Sequence, residues 1–474
     1  MSADITLPIW LFLILFAVAV WAVLDRVLIP STRWFLRRRI NRVIDEISTR
    51  LDIQIKPFQI TKRQVLIDRL LYDPKVIEAV QLDAVKRECP REIVQAEVLA
   101  YAKEIVPSFN AYLYFRFGYW LSKRIAKLLY RVQIGYSEDE EFKRIDPEST
   151  VIFLMNHRSN MDYLLVSFLA AEKTALSYAV GEWAKIWPLQ TLIRAMGAYF
   201  VRRKSGNSLY RRVLERYIHM ATKEGVCQAV FPEGGLSRDG HMRAPKLGVL
   251  DYMLRNYQPQ TDRDIIFIPV GINYDRTLED RSQLRTLDAA APKRSKWFVI
   301  RTTLRFIRHS LILMLMSRWQ RFGYASVNFG APISMRRYCC RRRVDFSAME
   351  RSLRFKEVAK LADQLMGAIK NVIPILPIAL VATVIKNESR RGLSATEVQT
   401  QTNQLIETLR RQGAPLYFST GSQVETTINA LNMLKLRKLI SENDGRYQAK
   451  KEEYDILAYY ANSIVHWLPD DQKN

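Results

Sequence analysis

The chain has 474 residues, of which 48% are hydrophobic, so it is too long for one ordinary domain and long enough to bury a sizeable core. Its formal net charge of +24 indicates an anionic partner, such as nucleic acid, anionic lipid headgroups or an acidic carrier. The four cysteines include no CxxC pair and the five histidines are scattered, which argues against a zinc site and for reduced thiols in a cytosol-facing protein.

The first segment of the chain predicts a membrane anchor. Residues 5–24 carry no charge, and this length matches the roughly 20 residues that cross a hydrocarbon core. A cleaved signal peptide would have basic residues before the apolar run, whereas here Asp4 precedes it and arginines follow from Arg26 onward. We therefore expect a retained single-pass anchor at 1–30, with the catalytic part on the cytoplasmic side of what we take to be a bacterial inner membrane.

Residues 31–140 predict a helical region, because their apolar residues recur at spacings of three and four. Within it, the segment 111–132 is aromatic, basic and amphipathic. Such a segment is either a helix packed on the core or a helix lying on the bilayer surface, and the sequence leaves both interpretations open.

The pattern changes at residues 141–335, where short β-branched runs alternate with helical stretches and predict an α/β domain. The segment 293–323 inside it is basic at both ends and apolar in the middle, too short in its apolar part to span a bilayer, and it predicts a helical pair resting on the membrane. Residues 336–474 have helical periodicity and predict a helical C-terminal domain.

The first strand of the α/β region ends in a candidate catalytic pair. The apolar run VIFLM leads into His157, and Asp162 follows five positions later. A histidine is a natural general base at neutral pH, and a nearby carboxylate fixes its tautomer and supports the imidazolium without becoming protonated. If a helix begins near Ser159, the aspartate can turn back onto the imidazole ring. The spacing alone also arises by chance, so it needs further support.

Three further strands end in polar or glycine-bearing turns. These turns lie in GAYFVRR at 197–203, VFPEGGLSRDGHMRAPKLG at 230–248 and FIPVGINYD at 267–275. Guanidinium groups match phosphate oxygens bidentately, and paired glycines allow a ligand to approach the backbone closely. Four such strand ends predict one shared crevice at the edge of the sheet.

Taken in order, the motifs HxxxxD, GxxFxRR, FPEGGxSR and IPVGIxYD resemble those of the glycerolipid acyltransferases, most closely the glycerol-3-phosphate and dihydroxyacetone-phosphate branch. The stretch ILAYYANSIVHWL at 456–468 is also similar to that branch. The resemblance implies an α/β fold with a mixed-sheet core flanked by helical regions. It also implies that the histidine deprotonates an acceptor hydroxyl, which attacks an acyl thioester without a covalent acyl-enzyme.

The resemblance carries roles onto individual positions. His157 is the base and Asp162 orients it, Arg202 or Arg203 binds phosphate, and Pro269 belongs to the acyl-donor side. Residues of the third motif are expected to line the acceptor site or contact its anion: Glu233, Gly234, Gly235, Ser237, Arg238 and Lys246. Leu236 departs from the family pattern, because many relatives carry a basic residue there, and this departure leaves the acceptor open.

These observations predict a membrane-bound O-acyltransferase that moves an acyl group to the sn-1 hydroxyl of glycerol 3-phosphate and gives lysophosphatidic acid. The expected partners are glycerol 3-phosphate, membrane lipid and a thioester of CoA or acyl carrier protein, with no metal, no other cofactor and no nucleic acid. Lysophosphatidic acid or dihydroxyacetone phosphate as acceptor remains an alternative. So do a membrane-tethered nucleic-acid-binding protein, although no nucleic-acid motif appears, and a scaffold without catalysis.

Overall fold

The fold is described from a computed structural model. The described residues are Ile9, Phe16, 56–137, 139–170, 174–181, 189–202, 205–287, 301, 322–388, 391–417 and 423–468. Arg203, almost all of the segment 293–323, and the predicted anchor at 1–30 except Ile9 and Phe16 lie outside these ranges. Among the helices within them, none has the length and apolar character needed to cross a membrane.

Helices make up most of the described chain. They are α1 Pro57–Ile60, α2 Arg63–Leu71, α3 Pro74–Lys86, α4 Arg91–Ile105, a π-helix Leu113–Gly118, α5 Tyr119–Leu129, α6 Asp139–Lys143, α7 Met161–Ala170, α8 Leu189–Ala195, α9 Ser208–Lys223, α10 Gly248–Leu254, α11 Asp280–Arg285, α12 Met335–Arg342, α13 Arg351–Val372, α14 Pro377–Asn387, α15 Ala395–Arg411, α16 Gln423–Leu436 and α17 Tyr454–Ala461. Two 3-10 helices, Lys451–Glu453 and Asn462–Trp467, flank α17.

A central sheet organises the first two thirds of the chain. Its strands are β1 Arg131–Ser137, β2 Thr150–Met155, β3 Ser177–Gly181, β4 Tyr199–Val201, β5 Gln228–Val230, β6 Ile265–Tyr274, β7 Tyr324–Phe329 and β8 Ile333–Ser334. The spatial order is β1-β7-β6-β2-β5-β3-β4, with β8 also on β6. Strands β6, β2, β5, β3 and β4 run parallel, whereas β7 and β8 are antiparallel to β6. The predicted mixed-sheet α/β core is confirmed.

The sheet is covered by helices on both faces. Side chains of a strand alternate between faces, and along β2 Ile152 and Leu154 join one hydrophobic cluster while Val151 and Phe153 join the other. The first cluster contains residues of α2, α3, α4, α9, α10 and α13, and the second contains residues of α5 and α7. A strand buried on both faces needs an apolar run rather than alternation, which explains the sequence VIFLM.

A third hydrophobic cluster forms the C-terminal region from α14 to α17. The sequence predicted a purely helical C-terminal region, but the region also contains strands. Strands β9 Leu393–Ser394, β10 Ile440–Asn443 and β11 Arg446–Ala449 form a small antiparallel sheet in the order β10-β11-β9. Strand β1 likewise extends the central sheet into the range predicted as helical. The C-terminal strands are only two to four residues long, too short for sequence periodicity to reveal them. Strand β1, in contrast, alternates Val132, Ile134 and Tyr136 with polar or small residues, a strand pattern that the helical prediction for this range overlooked.

Candidate active site

The sequence motifs meet where the parallel strands end. His157 follows β2, Arg202 follows β4, and the third motif follows β5. Because β2, β4 and β5 run in the same direction, their carboxyl ends lie at one edge of the sheet. The fourth motif is the strand β6 itself, whose last residue, Tyr274, also reaches the site.

The centre of the site is a buried histidine–aspartate pair. His157 Nδ1 lies 2.9 Å from Asp162 Oδ2, and the two side chains are only 2% and 0% exposed. The pair forms because β2 ends at Met155 and α7 begins at Met161, so that the intervening turn folds the aspartate of the first helical turn back onto the ring.

The surroundings of Asp162 fix the histidine tautomer. Its Oδ2 also accepts hydrogen bonds from the backbone N–H groups of Arg158 at 2.8 Å and Ser159 at 3.1 Å. Its Oδ1 accepts the phenol of Tyr274 at 2.7 Å. A carboxylate surrounded by donors must accept from His157 as well, so Nδ1 carries the proton and Nε2 keeps the lone pair of a base. Sequence reasoning did not identify Tyr274.

Aromatic side chains set the plane of the imidazole. Phe231, directly after β5, stacks on the His157 ring with centroids 4.0 Å apart and an interplanar angle of 24°. Tyr163 meets the same ring edge-on at 5.5 Å. These contacts and the bond to Asp162 leave the ring one orientation, which is what a general base requires.

Glu233 supports the site from the third motif. Its Oε1 accepts the backbone N–H of His157 at 2.9 Å and its Oε2 accepts that of Arg243 at 2.8 Å. Burial raises the pKa of Glu233 to about 7, although these two backbone hydrogen bonds oppose the shift. The Glu233 carboxyl therefore joins the turn after β2, at His157, to the loop that contains Arg243. This positioning role goes beyond the acceptor-lining role that the resemblance implied.

Two further polar side chains hold the turn after β2. The Asn156 side chain bonds both the N–H and the carbonyl of Ile272, at 2.7 and 2.9 Å, and so extends the β2–β6 pairing. Glu279 accepts the Ser159 hydroxyl at 2.7 Å and the backbone N–H of Asn160 at 3.1 Å. Burial raises the pKa of Glu279, while its bonds to this turn lower it.

The C-terminal region also contacts this turn. The Arg158 guanidinium donates to Gly240 O at 2.7 Å and lies 4.6 Å from the ring centroid of Tyr459 in α17. Asn462 donates to Asp239 O at 2.9 Å. A cavity of about 100 Å³ lies between the third motif and the C-terminal region, and Arg158 and Lys370 are among the residues that line it.

A much larger cleft opens on the other side of the third motif. It has a volume of about 770 Å³, and Phe231, Gly234 and Lys246 line it together with Arg202. The Gly234 φ of +63° lies in the left-handed region that favours glycine, and a Cβ there would lie 2.8 Å from Lys246 Cδ, so that the lysine side chain would have to move. The cleft thus reaches the residue on which the His157 ring stacks.

Positive charge dominates this cleft. Seven cationic side chains line it: Arg202, Arg211, Arg212, Lys246, Arg255, Arg351 and Arg354. Three carboxylates pair with four of them. Glu104 holds Arg202, Glu215 holds Arg212 and Arg255, and Asp251 holds Arg255 and Arg354. Four positive charges therefore remain in excess, and the cleft suits an anionic ligand.

Arg202 is held more firmly than its predicted role requires. Its Nε and Nη2 donate to the Glu104 carboxylate at 2.9 and 2.6 Å, and its guanidinium lies between the rings of Tyr101 and Tyr210. Among the described residues this pairing leaves Nη1 without a hydrogen-bond partner. Lys246 and Arg238 are exposed, so their charged ends are accessible.

The other predicted residues occupy supporting positions. Ser237 N donates to His157 O at 2.8 Å and its hydroxyl donates to His241 O at 2.8 Å. Gly235 is buried and Leu236 is half-buried. Pro269 is buried in β6 opposite Leu154, and its carbonyl accepts Gly330 N at 2.8 Å, so the structure places it in the sheet and not beside the His157 pair.

Known proteins were compared with the whole sequence. A family model described as acyltransferase matches residues 133–273, and one described as the glycerol-3-phosphate acyltransferase C-terminal region matches residues 310–470. A glycerol-3-phosphate acyltransferase of Pseudomonas aeruginosa is 28% identical over 444 residues, which cover 90% of this chain and 51% of the relative. The predicted resemblance to the glycerol-3-phosphate acyltransferases is confirmed.

Other members of this group give the same result. A glycerol-3-phosphate acyltransferase of Pseudomonas entomophila is 29% identical over 420 residues, covering 86% of this chain and 49% of the relative. The chain thus spans about half the length of the curated relatives it matches. A crystal structure of the 1-acyl-sn-glycerophosphate acyltransferase of Thermotoga maritima aligns with 53% of this chain and 79% of its own, at 17% identity and a TM-score of 0.28.

Among the described residues, no group of three or more His, Cys, Asp or Glu side chains is arranged to hold a metal ion.

Proposed function

We propose that this protein transfers a fatty acyl group from a thioester to the sn-1 hydroxyl of glycerol 3-phosphate, giving lysophosphatidic acid. The observation that carries the proposal is the His157–Asp162 pair, in which four hydrogen-bond donors surround the aspartate carboxylate beside a cleft with excess positive charge. The names of the similar proteins support the same acceptor.

In the proposed reaction, His157 Nε2 takes the proton of the sn-1 hydroxyl as its oxygen attacks the thioester carbonyl carbon. The carboxylate of Asp162 orients the ring and stabilises the imidazolium. Collapse of the tetrahedral intermediate breaks the carbon–sulfur bond, and the imidazolium returns the proton to the leaving thiolate. The products are an ester and a free thiol, so no oxidant or metal is required.

The acceptor phosphate is assigned to the part of the cleft beside the third motif. Lys246 and the Arg202 guanidinium are the cations there, and Arg238 is the exposed cation of the third motif. With Leu236 in place of a basic residue, these side chains must supply the phosphate contacts. Dihydroxyacetone phosphate offers the same phosphate, whereas lysophosphatidic acid adds an acyl chain.

The acceptor is tested with membranes that contain the protein. We expect acyl transfer from an acyl thioester to glycerol 3-phosphate to exceed transfer to dihydroxyacetone phosphate and to lysophosphatidic acid, because the similar proteins are named for glycerol 3-phosphate. Product formation is measured from a labelled acyl group. Acylation of lysophosphatidic acid in preference to glycerol 3-phosphate would reassign the acceptor, and lack of transfer from both CoA and carrier-protein thioesters would refute the proposal.

We also propose that the protein acts at an anionic bilayer surface. Phe117 and Trp120 are 42% and 53% exposed on one face of the helix that runs through the π-turn into α5. The exposed cations Arg116, Arg124 and Lys127 lie beside them, and no acidic residue occurs from Ile105 to Ser137. Exposed aromatic rings flanked by cations are typical of a helix at a lipid interface.

Removing residues 1–30 should weaken vesicle binding only in part, because the helix face remains. In that shortened chain, the double substitution Phe117→Ser and Trp120→Ser should lower affinity for phosphatidylcholine–phosphatidylglycerol vesicles at least about tenfold, since each buried aromatic contributes roughly 1.5–3 kcal/mol. Cosedimentation measures the bound fraction. The matched control is Leu82→Ser with Val85→Ser, two exposed apolar residues of α3. A shortened chain that stays wholly soluble with vesicles at low salt would contradict the assignment.

A further inference from the structure

A second large cleft lies apart from the basic cleft beside the third motif. It has a volume of about 820 Å³ and opens between the central sheet and the C-terminal region. The starts of β1 and β7 and the end of β6 form one wall, and helix α16 with the first residues of α14 forms the other. Of the four motifs, only the last residue of the fourth, Asp275, reaches this cleft. The proposed acyl transfer therefore gives it no role.

Three arginines line this cleft: Arg131 at the start of β1, Arg276 directly after β6, and Arg437 directly after α16. Strand β7 lies between β1 and β6 in the sheet. Tyr324 of β7 pairs with Arg131 on one side, and its carbonyl accepts Asp275 N at 3.0 Å on the other. Arg131 and Arg276 therefore flank the same strand end.

Arg131 and Arg276 form no ion pair within the described ranges. Their guanidinium groups contact aromatic rings instead, at 5.9 Å from the ring centroid of Tyr324 and 4.1 Å from that of Phe322. Arg131 is exposed and Arg276 is half-buried. Burial and the nearby charge of Arg437 lower the pKa of Arg276. A cation that burial and a like charge both destabilise gains stability when an anion binds beside it.

Arg437 is the buried member of the cluster. Its side chain is only 8% exposed, pairs with Asp280 and lies over the ring of Tyr460, 5.0 Å from the centroid. Its Nη1 is buried without a hydrogen-bond partner among the described residues. Buried donors in folded proteins nearly always have an acceptor. The protein itself therefore satisfies this guanidinium only in part.

The carboxylates near the cleft do not cancel this charge. Asp275 is fully buried and accepts two backbone N–H groups, at 2.8 and 3.2 Å, while burial raises its pKa to about 6. Glu425 lies in the first turn of α16, about 18 Å along the helix axis from Arg437. Asp275 and Asp280 offset at most two of the three positive charges. The arginine end of the cleft therefore keeps an excess.

An apolar wall adjoins the arginines. Met433 and Leu436 of α16 line the cleft, and Leu436 is 65% exposed. Arg131 also follows closely after α5, whose other end carries Trp120 of the proposed bilayer face, about 16 Å away along the helix axis. A cationic end beside apolar side chains suits a ligand with a phosphate and an apolar part, since guanidinium binds phosphate oxygens bidentately.

We propose that Arg131 and Arg276 bind a phosphate ester, with Arg437 adding to the positive charge and with Met433 and Leu436 contacting the apolar part of the ligand. A phospholipid head group or a soluble phosphorylated molecule supplies this chemistry. The site is separate from the one assigned to the acceptor, and the inference does not depend on acyl transfer. A bound phosphate would link the end of the sheet to the C-terminal region.

The test is calorimetric titration of the full chain in a nonionic detergent with dihexanoyl phosphatidic acid and with methyl phosphate. Both should bind, the lipid more tightly. In Arg131→Gln with Arg276→Gln, both affinities should fall at least about tenfold, because two charge-assisted contacts are lost. The matched control, Arg337→Gln with Arg341→Gln, removes the same charge from exposed positions of α12 and should leave both affinities unchanged.

A second variant tests the opposite wall. Asn432→Glu places a carboxylate at an exposed position of α16 in the cleft and should weaken both ligands about threefold. Equal affinity for the two ligands would keep the site and assign it to a soluble phosphate ester. Unchanged binding by the double variant would overturn the proposal, as would binding of dihexanoylglycerol, which lacks phosphate, as tightly as phosphatidic acid. Loss of binding in Lys246→Gln alone would place the phosphate in the basic cleft and also overturn it.

Discussion

His157→Ala should reduce kcat by on the order of 10³ or more, while the chain remains folded. The substitution removes the proposed general base, and general-base catalysis contributes roughly 10²–10⁴-fold. It also removes the ring that stacks on Phe231, so the unfolding free energy should fall by a few kcal/mol at most. Single-turnover acyl transfer measures the chemical step.

His219→Ala is the matched control, because His219 is a half-buried histidine of α9 remote from the pair. That variant should keep nearly normal kcat. Near-normal turnover by His157→Ala, with its circular dichroism spectrum unchanged, would show that another group is the base. If His157→Ala unfolds the chain, its loss of activity says nothing about the chemical step. The assay is then repeated on His157→Gln, which keeps a side chain of similar length.

Asp162→Asn should also lower kcat by roughly 10²–10⁴-fold. The amide has the shape of the carboxylate but no charge to stabilise the imidazolium. It also replaces an accepting oxygen by an NH₂ group, although both carboxylate oxygens are surrounded by donors. Some donor is therefore left without an acceptor, which costs about 1–3 kcal/mol of stability. Thermal unfolding and kcat together measure the two effects.

Tyr274→Phe separates those effects. It removes the donor to Asp162 Oδ1 and leaves the contacts of Oδ2 and the charge of the carboxylate in place. We expect a much smaller loss of kcat than in Asp162→Asn, and a KM for glycerol 3-phosphate close to that of the unsubstituted protein. A loss as large as that of Asp162→Asn would mean that the orientation of Asp162, and not its charge, controls the reaction.

Sequence alone could predict the parts of the site that are local. The contact between His157 and Asp162 spans five residues across one strand-to-helix turn. The spacing of the motif therefore determines most of the geometry of the pair. The strands β2, β5 and β6 are apolar runs bounded by turns, and for that reason they are visible in the sequence.

Contacts made across the fold were not predictable in this way. Tyr274 lies 112 residues from its partner Asp162, and Glu104 lies 98 residues from Arg202. Nothing in the composition of either segment indicates its partner, because the strand order of the sheet determines which segments meet. The predicted phosphate ligand Arg202 is for that reason also a structural ion-pair partner.

The contact between Tyr459 and the turn after His157 has a consequence for biosynthesis. The Tyr459 hydroxyl bonds to Arg158 O at 3.4 Å across 301 residues, and the Arg158 guanidinium lies over the same ring. During translation the HxxxxD turn emerges long before α17 exists, and contacts between such distant segments form late. A nascent chain on the ribosome therefore holds the HxxxxD turn before its contact with α17 has formed.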